Sequence, residues 1–180
     1  MEYLKLNNLK TALMSFTESM RINESDPMVY NEMGVVFYKQ NNFEKAQEFL
    51  AKALSLCHDS TNSTTFETIM LNTAHCHRKL KQMDSAIAAY ERCLTINPKS
   101  SQTLVSLGFT YHLSFDMKKA LHYYHKAHFL NNDDNLVRQL VNRAIMDINN
   151  KALSPIEQTY LAAPPSMPPT EQYPNIGLQN

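Results

Sequence analysis

The chain has 180 residues, and its 17 Lys and Arg residues balance its 17 Asp and Glu residues, so its formal net charge at pH 7 is zero. This balance gives no support to a nucleic-acid-binding or anionic-membrane-binding surface. The length suggests one domain plus an appendage, and hydrophobic residues make up 43% of the chain, which is enough for a core. No apolar run approaches the roughly 20 residues of a membrane-spanning helix.

An alanine recurs along the chain at spacings of 34, 40 and 34 residues. A ring or a leucine follows each alanine after four residues, a small residue after seven, and Ile or Leu after ten. Residues at these spacings share one face of a helix, so the pattern predicts the same amphipathic helix four times. The four alanines are Ala12, Ala46, Ala86 and Ala120.

A second helix is predicted upstream of each of the last three alanines. Gly34, Ala74 and Gly108 lie twelve residues before them, and Phe37, His77 and Tyr111 lie nine residues before them. Small residues let two helices approach closely, and rings fill the space between them. This helix pair with a period of 34 resembles the tetratricopeptide repeat. The resemblance implies an all-α solenoid, a right-handed superhelix of antiparallel helix pairs that bury their apolar faces by stacking.

The repeat register divides the chain into successive segments. It also places Met1 halfway through a first helix, so we expect the C-terminal piece of a longer array or a misassigned start codon. In chain order we predict a partial repeat at 1–26 with a helix at 9–22, and then a repeat at 27–60 with helices near 28–40 and 43–56. A loop insertion at 61–66 comes next, followed by repeats at 67–100 and 101–134 with helices near 67–80, 83–96, 102–114 and 117–130. The chain ends with a capping helix at 135–150 and a largely disordered Pro-rich tail at 151–180, in which a short helix starts at Ser154.

The first helix of each pair lines the concave side of such a solenoid. Arg78 and Lys79 could grip a carboxylate there, and Asn31 or Asn72 could clamp a peptide backbone. The alternative interpretation is that Arg78 and Lys79 form only the solvated end of a helix. The predicted peptide-binding groove comprises Asn31, Val35, Tyr38, Lys39, Leu71, Asn72, His75, Arg78, Lys79, Val105, Phe109 and His112.

Catalytic and metal-binding chemistry has little support in the sequence. His75-Cys76-His77 is the nearest approach to a metal cluster, but side chains two apart on a helix point about 200° apart. The register places His77 in the core and His75 in the groove. Three cysteines without a pairing pattern are expected to be reduced thiols. No catalytic or phosphate-binding motif is found, so we expect no enzyme activity, cofactor, metal or small-molecule substrate.

Several stretches go beyond the general repeat pattern, of which the most specific is His77-Arg78-Lys79-Leu80-Lys81. Together they resemble the C-terminal half of the cell-division-cycle-sixteen type subunit of the anaphase-promoting complex, over about residues 1–150. The other stretches are residues 1–8, Asp26-Pro27, Asn31-Glu32-Met33-Gly34-Val35-Val36, residues 74–76 and Asp133-Asp134.

The resemblance implies a non-catalytic scaffold of a ubiquitin ligase that acts in mitosis, located in the nucleus and cytoplasm. It further implies other ligase subunits as partners, with the N-terminal segment of a small accessory subunit in the groove and Arg78 and Lys79 as matched groove positions. A second hypothesis is a chaperone-docking adaptor that clamps a C-terminal carboxylate. That mode requires Lys, Asn and Arg across successive repeats, and only the middle repeat supplies much of this set. A third is an enzyme with a repeat-like accessory domain.

Overall fold

The structure of the chain is a computed structural model that describes residues 2–57, 63–131 and 134–149. All secondary structure in these residues is α-helical, which confirms the predicted fold class. No helix in this part of the chain is long and apolar enough to cross a membrane. The eight helices are α1 Glu2–Ile22, α2 Pro27–Lys39, α3 Phe43–Leu56, α4 Ser63–Lys79, α5 Met83–Ile96, α6 Ser101–Leu113, α7 Met117–Leu130 and α8 Asn135–Asn149.

Six of the helices form three pairs, α2 with α3, α4 with α5, and α6 with α7. Three residues join the helices of each pair, so helices that pack together across so short a turn run antiparallel. Side-chain caps start several of these helices. Asp26 accepts a hydrogen bond from the Met28 amide at 2.8 Å, and Pro27 stands in the first turn, where its missing N–H does least harm. Asn42 and Asp116 cap α3 and α7 in the same way.

The three turns within the pairs share one backbone conformation. Asn41, Lys81 and Phe115 each have a φ of 60°. In the turn at Asn41, the next amide bonds a carbonyl five residues earlier, from Asn42 N to Phe37 O at 2.9 Å. The other two turns make the equivalent bond. This hydrogen bond, together with a residue in the left-handed conformation, is typical of the Schellman motif at the end of a helix. Here none of the three left-handed positions carries the usual glycine.

The small residues of the repeat lie where two helices are closest. A Cβ added to Gly108 would lie 2.7 Å from Cδ1 of Tyr124, and one added to Gly34 would lie 2.8 Å from Cγ of Leu50. Tyr124 is completely buried. The ring and the glycine therefore fit together as one packing unit, as the spacing of twelve and four residues around each alanine predicts.

The chain divides into two compact units, residues 1–97 and residues 98–180. In the first unit, α3 bridges α2 and α4 through two buried clusters. One is built on Tyr30, Ala53 and Ile69, and the other on Ala46, Leu50 and Cys76. In the second unit, α8 packs against α7 and buries Val137 and Ala144.

Two helix limits differ from the sequence-based boundaries. Helix α1 begins at Glu2, seven residues before the predicted start at 9. Helix α4 begins at Ser63, inside the predicted loop insertion at 61–66, so residues 63–66 are corrected to helix. The extra turn places Phe66 in a buried position with the Arg92 guanidinium 5.0 Å from its ring, so burial of an aromatic residue favours helix here. The predicted tail at 151–180 and its short helix at Ser154 lie outside the described residues.

Candidate peptide-binding surface

The predicted groove residues lie on α2, α4 and α6, the first helices of the three pairs. Helices α2 and α4 belong to the first compact unit, and α6 belongs to the second. On α2, Asn31 and Val35 are buried, Tyr38 is half-buried and Lys39 is exposed. The predicted set therefore divides into residues that hold the fold and residues that a partner can reach.

Asn31 links two first helices of the first unit. The Asn72 Nδ2 group of α4 donates to Asn31 Oδ1 at 2.9 Å, and Asn31 Nδ2 donates to Glu32 Oε1 at 3.1 Å. Asn31 is completely buried and its amide ties α2 to α4, so its role as a peptide clamp stays a prediction. Asn72 is half-buried and remains partly accessible.

His75 and Arg78 meet at the hydroxyl of Tyr90, a residue of α5. Arg78 Nε donates to this oxygen at 3.4 Å, and the Tyr90 hydroxyl lies 2.6 Å from Nδ1 of His75. Burial, followed by the positive charges of Arg78 and Lys79, lowers the pKa of His75 from 6.5 to about 3. A neutral His75 with an unprotonated Nδ1 accepts a hydrogen bond from the Tyr90 hydroxyl, so the chain of donors runs from Arg78 through Tyr90 to His75.

The two histidines of the His-Cys-His stretch are placed the other way round from the sequence-based assignment. His75 is buried with its ring edge-on to Tyr90 at 5.5 Å, whereas His77 is half-buried and its Nδ1 lies 2.6 Å from Gln82 Oε1. The register gave His77 the core position of a ring. A tyrosine on the second helix offers a buried partner to His75 instead, and a buried imidazole needs such a partner.

The edge formed by Tyr38, Arg78 and Lys79 is positively charged. Burial raises the pKa of Tyr38 to about 12, an effect that the Arg78 charge opposes. The Tyr38 hydroxyl is buried and has no hydrogen-bond partner among the described residues. Partial burial, and then the charge of Arg78, lower the pKa of Lys79. Arg78 is itself largely buried, while Lys79 is exposed with its Nζ 5.9 Å from the Phe43 ring centre.

The three predicted groove residues of α6 are all buried. His112 Nε2 lies 2.9 Å from Oδ2 of Asp147 on α8, and its Nδ1 lies 3.3 Å from the Tyr124 hydroxyl. Burial lowers the pKa of His112, and the hydrogen bond and charge of Asp147 oppose that shift. Val105, Phe109 and His112 thus lie buried in this structure, and their assignment to a groove stays a prediction.

Five members of the predicted set remain accessible on α2 and α4, and we call them the α2–α4 set. Leu71 and Asn72 are half-buried like Tyr38, and Lys39 and Lys79 are exposed. The set thus combines an apolar side chain, an amide, a phenol and two ammonium groups. This mixture suits an extended polypeptide with backbone oxygens and acidic side chains.

Two residues that shape this region were not predicted from the sequence. Tyr90 was assigned only to a packing column, yet its hydroxyl joins His75 to Arg78. A tyrosine where another repeat has Leu50 was the available signal, because a buried hydroxyl needs a partner. Glu32 was not singled out at all. Its pKa is raised by burial, with Asn31 and Lys39 acting in the opposite direction.

No metal site is formed by the residues that the structure places. Within residues 2–57, 63–131 and 134–149, no group of three or more His, Cys, Asp or Glu side chains is arranged to hold an ion. All three cysteines are free thiols, as the sequence predicts.

The helix pairs, their small-residue contacts and their turns define the class of protein. Residues 26–99 match the family model for the tetratricopeptide repeat, so this segment of the chain consists of tetratricopeptide repeats. The crystal structure of the APC/C hetero-tetramer Cut9-Hcn1 superimposes with a TM-score of 0.73 at 23% identity, covering 81% of this chain and 28% of that one. That likeness shows the fold.

Sequence comparison confirms the resemblance to the cell-division-cycle-sixteen type subunits. Anaphase-promoting complex subunit 6 of Arabidopsis thaliana is 40% identical over 147 residues, which are 82% of this chain and 27% of that protein. Anaphase-promoting complex subunit CDC16 of Saccharomyces cerevisiae is 34% identical over 146 residues, which are 81% of this chain and 17% of that protein. The chain thus spans about a quarter or less of the length of these relatives.

Proposed function

We propose that this chain is a non-catalytic scaffold of the anaphase-promoting complex, acting in the nucleus and cytoplasm by binding other subunits. The observation that carries the proposal is the 40% identity to a named subunit of that complex over 82% of the chain. Tetratricopeptide repeats bind polypeptides along their helix faces, and this role needs surface shape rather than a reactive group. The same proposal makes the ligase subunits, rather than a chaperone, the partners of this chain.

We further propose that the α2–α4 set binds the extended N-terminal segment of a small accessory subunit. The half-buried Tyr38 ring and the half-buried Leu71 side chain add apolar contact surface for such a segment. Lys39 and Lys79 add two exposed positive charges at the ends of α2 and α4. The burial of Arg78 limits that residue to supporting Tyr90 and the local positive charge.

Affinity purification tests the scaffold proposal. The tagged chain, expressed in mitotic cells, should recover subunits of the anaphase-promoting complex, identified by mass spectrometry. Recovery of heat-shock chaperones without any ligase subunit would instead establish the chaperone-docking alternative.

Charge reversal tests the α2–α4 set. The double variant Lys39→Glu/Lys79→Glu should bind a peptide of the accessory subunit's N-terminal segment about tenfold more weakly, measured by calorimetry, because two attractive charges become repulsive. The matched control is Lys52→Glu, at an exposed position on the second helix α3, which should bind like the original chain. Equal affinity of the double variant and the control would place the segment elsewhere, without affecting the scaffold proposal.

A further inference from the structure

Helix α7 differs in charge from α3 and α5, the second helices of the other two full repeats. Helix α3 carries Glu44 and Glu48 beside its two lysines, and α5 carries Asp84 and Glu91 beside a single arginine. Helix α7 spans 14 residues with three lysines and three histidines and has no acidic residue. The repeat does not require this composition, since α3 and α5 fold with mixed charge.

The difference lies at the solvent-facing positions of the same register. Lys118 stands where the other two repeats have Glu44 and Asp84, and all three are exposed. At further matched positions, basic or aromatic side chains of α7 replace acidic, small or hydroxyl side chains. These replacements are His122 for Glu48 and Ala88, His125 for Ala51 and Glu91, and Phe129 for Ser55 and Thr95.

These residues lie along one side of α7. Lys118, His122, His125 and Phe129 are spaced by four, three and four residues, so their side chains share one helix face. Phe129 is 89% exposed at the end of this face. A phenylalanine this exposed, at a position where α3 has Ser55 and α5 has Thr95, suggests contact with an apolar group of another molecule.

Two stacked rings fix the basic side chains next to this face. Tyr111 of α6 and Tyr123 of α7 stack in parallel with centres 5.5 Å apart. Lys119 Nζ lies 4.9 Å from the Tyr111 ring centre, and Lys126 Nζ lies 5.5 Å from that of Tyr123. Lys119 Nζ forms an ion pair with Asp116 Oδ2 at 3.4 Å, whereas the positive charge of Lys126 adds to that of the face. Ordering these side chains before binding reduces the entropy lost on association.

From this arrangement we propose that Lys118, His122, His125, Lys126 and Phe129, here called the α7 face, bind an acidic protein segment that carries an apolar side chain. Carboxylates complement the two lysines, and the apolar side chain packs on Phe129. A protein segment fits better than nucleic acid, because the chain has no net charge and the basic face is limited to one short helix. This surface is distinct from the α2–α4 set and goes beyond the function proposed above.

Fluorescence anisotropy with the full chain tests the proposal. The probe is a fluorescein-labelled peptide Asp-Glu-Glu-Leu-Asp-Glu-Leu-Glu, and its counterpart has Lys in place of every acidic residue. The acidic peptide should bind, and more weakly at higher salt, because screening weakens exposed charge pairs. The lysine peptide should not bind.

Variants locate the binding. Lys118→Glu/Lys126→Glu should weaken binding at least about tenfold, and Phe129→Ser, which copies Ser55, should weaken it about threefold. The matched control Lys45→Glu/Lys52→Glu makes the same charge change on α3 and should bind as the original chain does. Circular dichroism should show unchanged helix content in all of them.

Three results would overturn the proposal. One is equal loss in the α7 and α3 double variants, which would mean that only net charge matters. Another is unchanged affinity in both α7 variants. The last is tighter binding of a single-stranded oligonucleotide or of vesicles containing phosphatidylserine than of the acidic peptide, with the same dependence on the α7 lysines.

Discussion

At the scale of single residues, the buried link from Arg78 through Tyr90 to His75 has a consequence for stability. The folded chain keeps His75 neutral down to about pH 3, because burial and two nearby positive charges disfavour its protonated form. The unfolded chain takes up this proton near pH 6.5. Between these two values the unfolded state binds more protons than the folded state, so this histidine lowers the free energy of unfolding as the pH falls.

His75→Gln should therefore flatten the acid side of the stability curve. The variant takes up no proton at this position. The slope of the unfolding free energy against pH between about 6.5 and 4 should therefore decrease by the contribution of about one bound proton. Urea denaturation at several pH values measures this slope. At pH 8 the same comparison reports only the changed hydrogen bond to Tyr90. Parallel curves for the two proteins across the acid range would contradict the assigned burial of His75.

At the scale of helices, the three turns within the pairs place side-chain-bearing residues in the left-handed conformation. This conformation costs an ordinary residue about 1–2 kcal/mol, and Asn tolerates it better than Lys. Asn41 and Lys81 are both exposed and both have a φ of 60°. The turns therefore contain stored backbone strain that differs between otherwise similar positions.

Lys81→Gly should stabilise the chain by about 0.5–1 kcal/mol, because the relief of strain exceeds the entropy that glycine loses on folding. Asn41→Gly, the matched change in the preceding repeat, should give a smaller gain. Thermal and urea unfolding of both variants provides the comparison. A larger gain for Asn41→Gly than for Lys81→Gly would show that side-chain contacts, not backbone strain, dominate these turns.

At the scale of the whole molecule, the three thiols report on the packed state. Cys76 and Cys93 are completely buried, and burial raises their pKa values to about 11 and about 12. Cys57 is only half-buried at the end of α3. Thiolate formation and access both control thiol reactivity, so the three cysteines should separate into two classes.

A thiol reagent applied to the native chain at pH 8 should label Cys57 rapidly and the other two only as fast as the protein opens. In concentrated urea all three should react together. Ellman's reagent measures the number of thiols, and mass spectrometry of peptides identifies them. Rapid native labelling of Cys76 or Cys93 would mean that the packing of α4 or α5 is looser than described here.

The helix pairs could be predicted because each repeat position carries a residue whose size suits its place in the packing. Ala46, Ala86 and Ala120 lie at full burial, and Gly34 and Gly108 touch the leucine or tyrosine that the register pairs with them. Local spacing carries this information, since residues three and four apart share a helix face. The start of α4 was missed because burial of Phe66 depends on Arg92, which is 26 residues away.

The exposure of the predicted groove residues could be predicted less well, for the same reason. The register places these residues on the first helices of the pairs, but it cannot tell an open position from one that a neighbour covers. Asn31 is hydrogen-bonded to Asn72, His75 to Tyr90, and His112 to Asp147. These partners are 41, 15 and 35 residues away along the chain. Burial of such polar groups requires a partner from another helix, and no local pattern identifies that partner.

The sequence by itself determined the period, the antiparallel pairs, the free thiols and the relationship to the anaphase-promoting complex subunits. These follow from the identities and spacing of residues within about 34 positions of one another. Only the tertiary structure decided which polar residues are joined in the interior and which remain for a partner. Accessibility depends on side chains brought together from separate helices, whereas helix formation and pairing depend on neighbours along the chain.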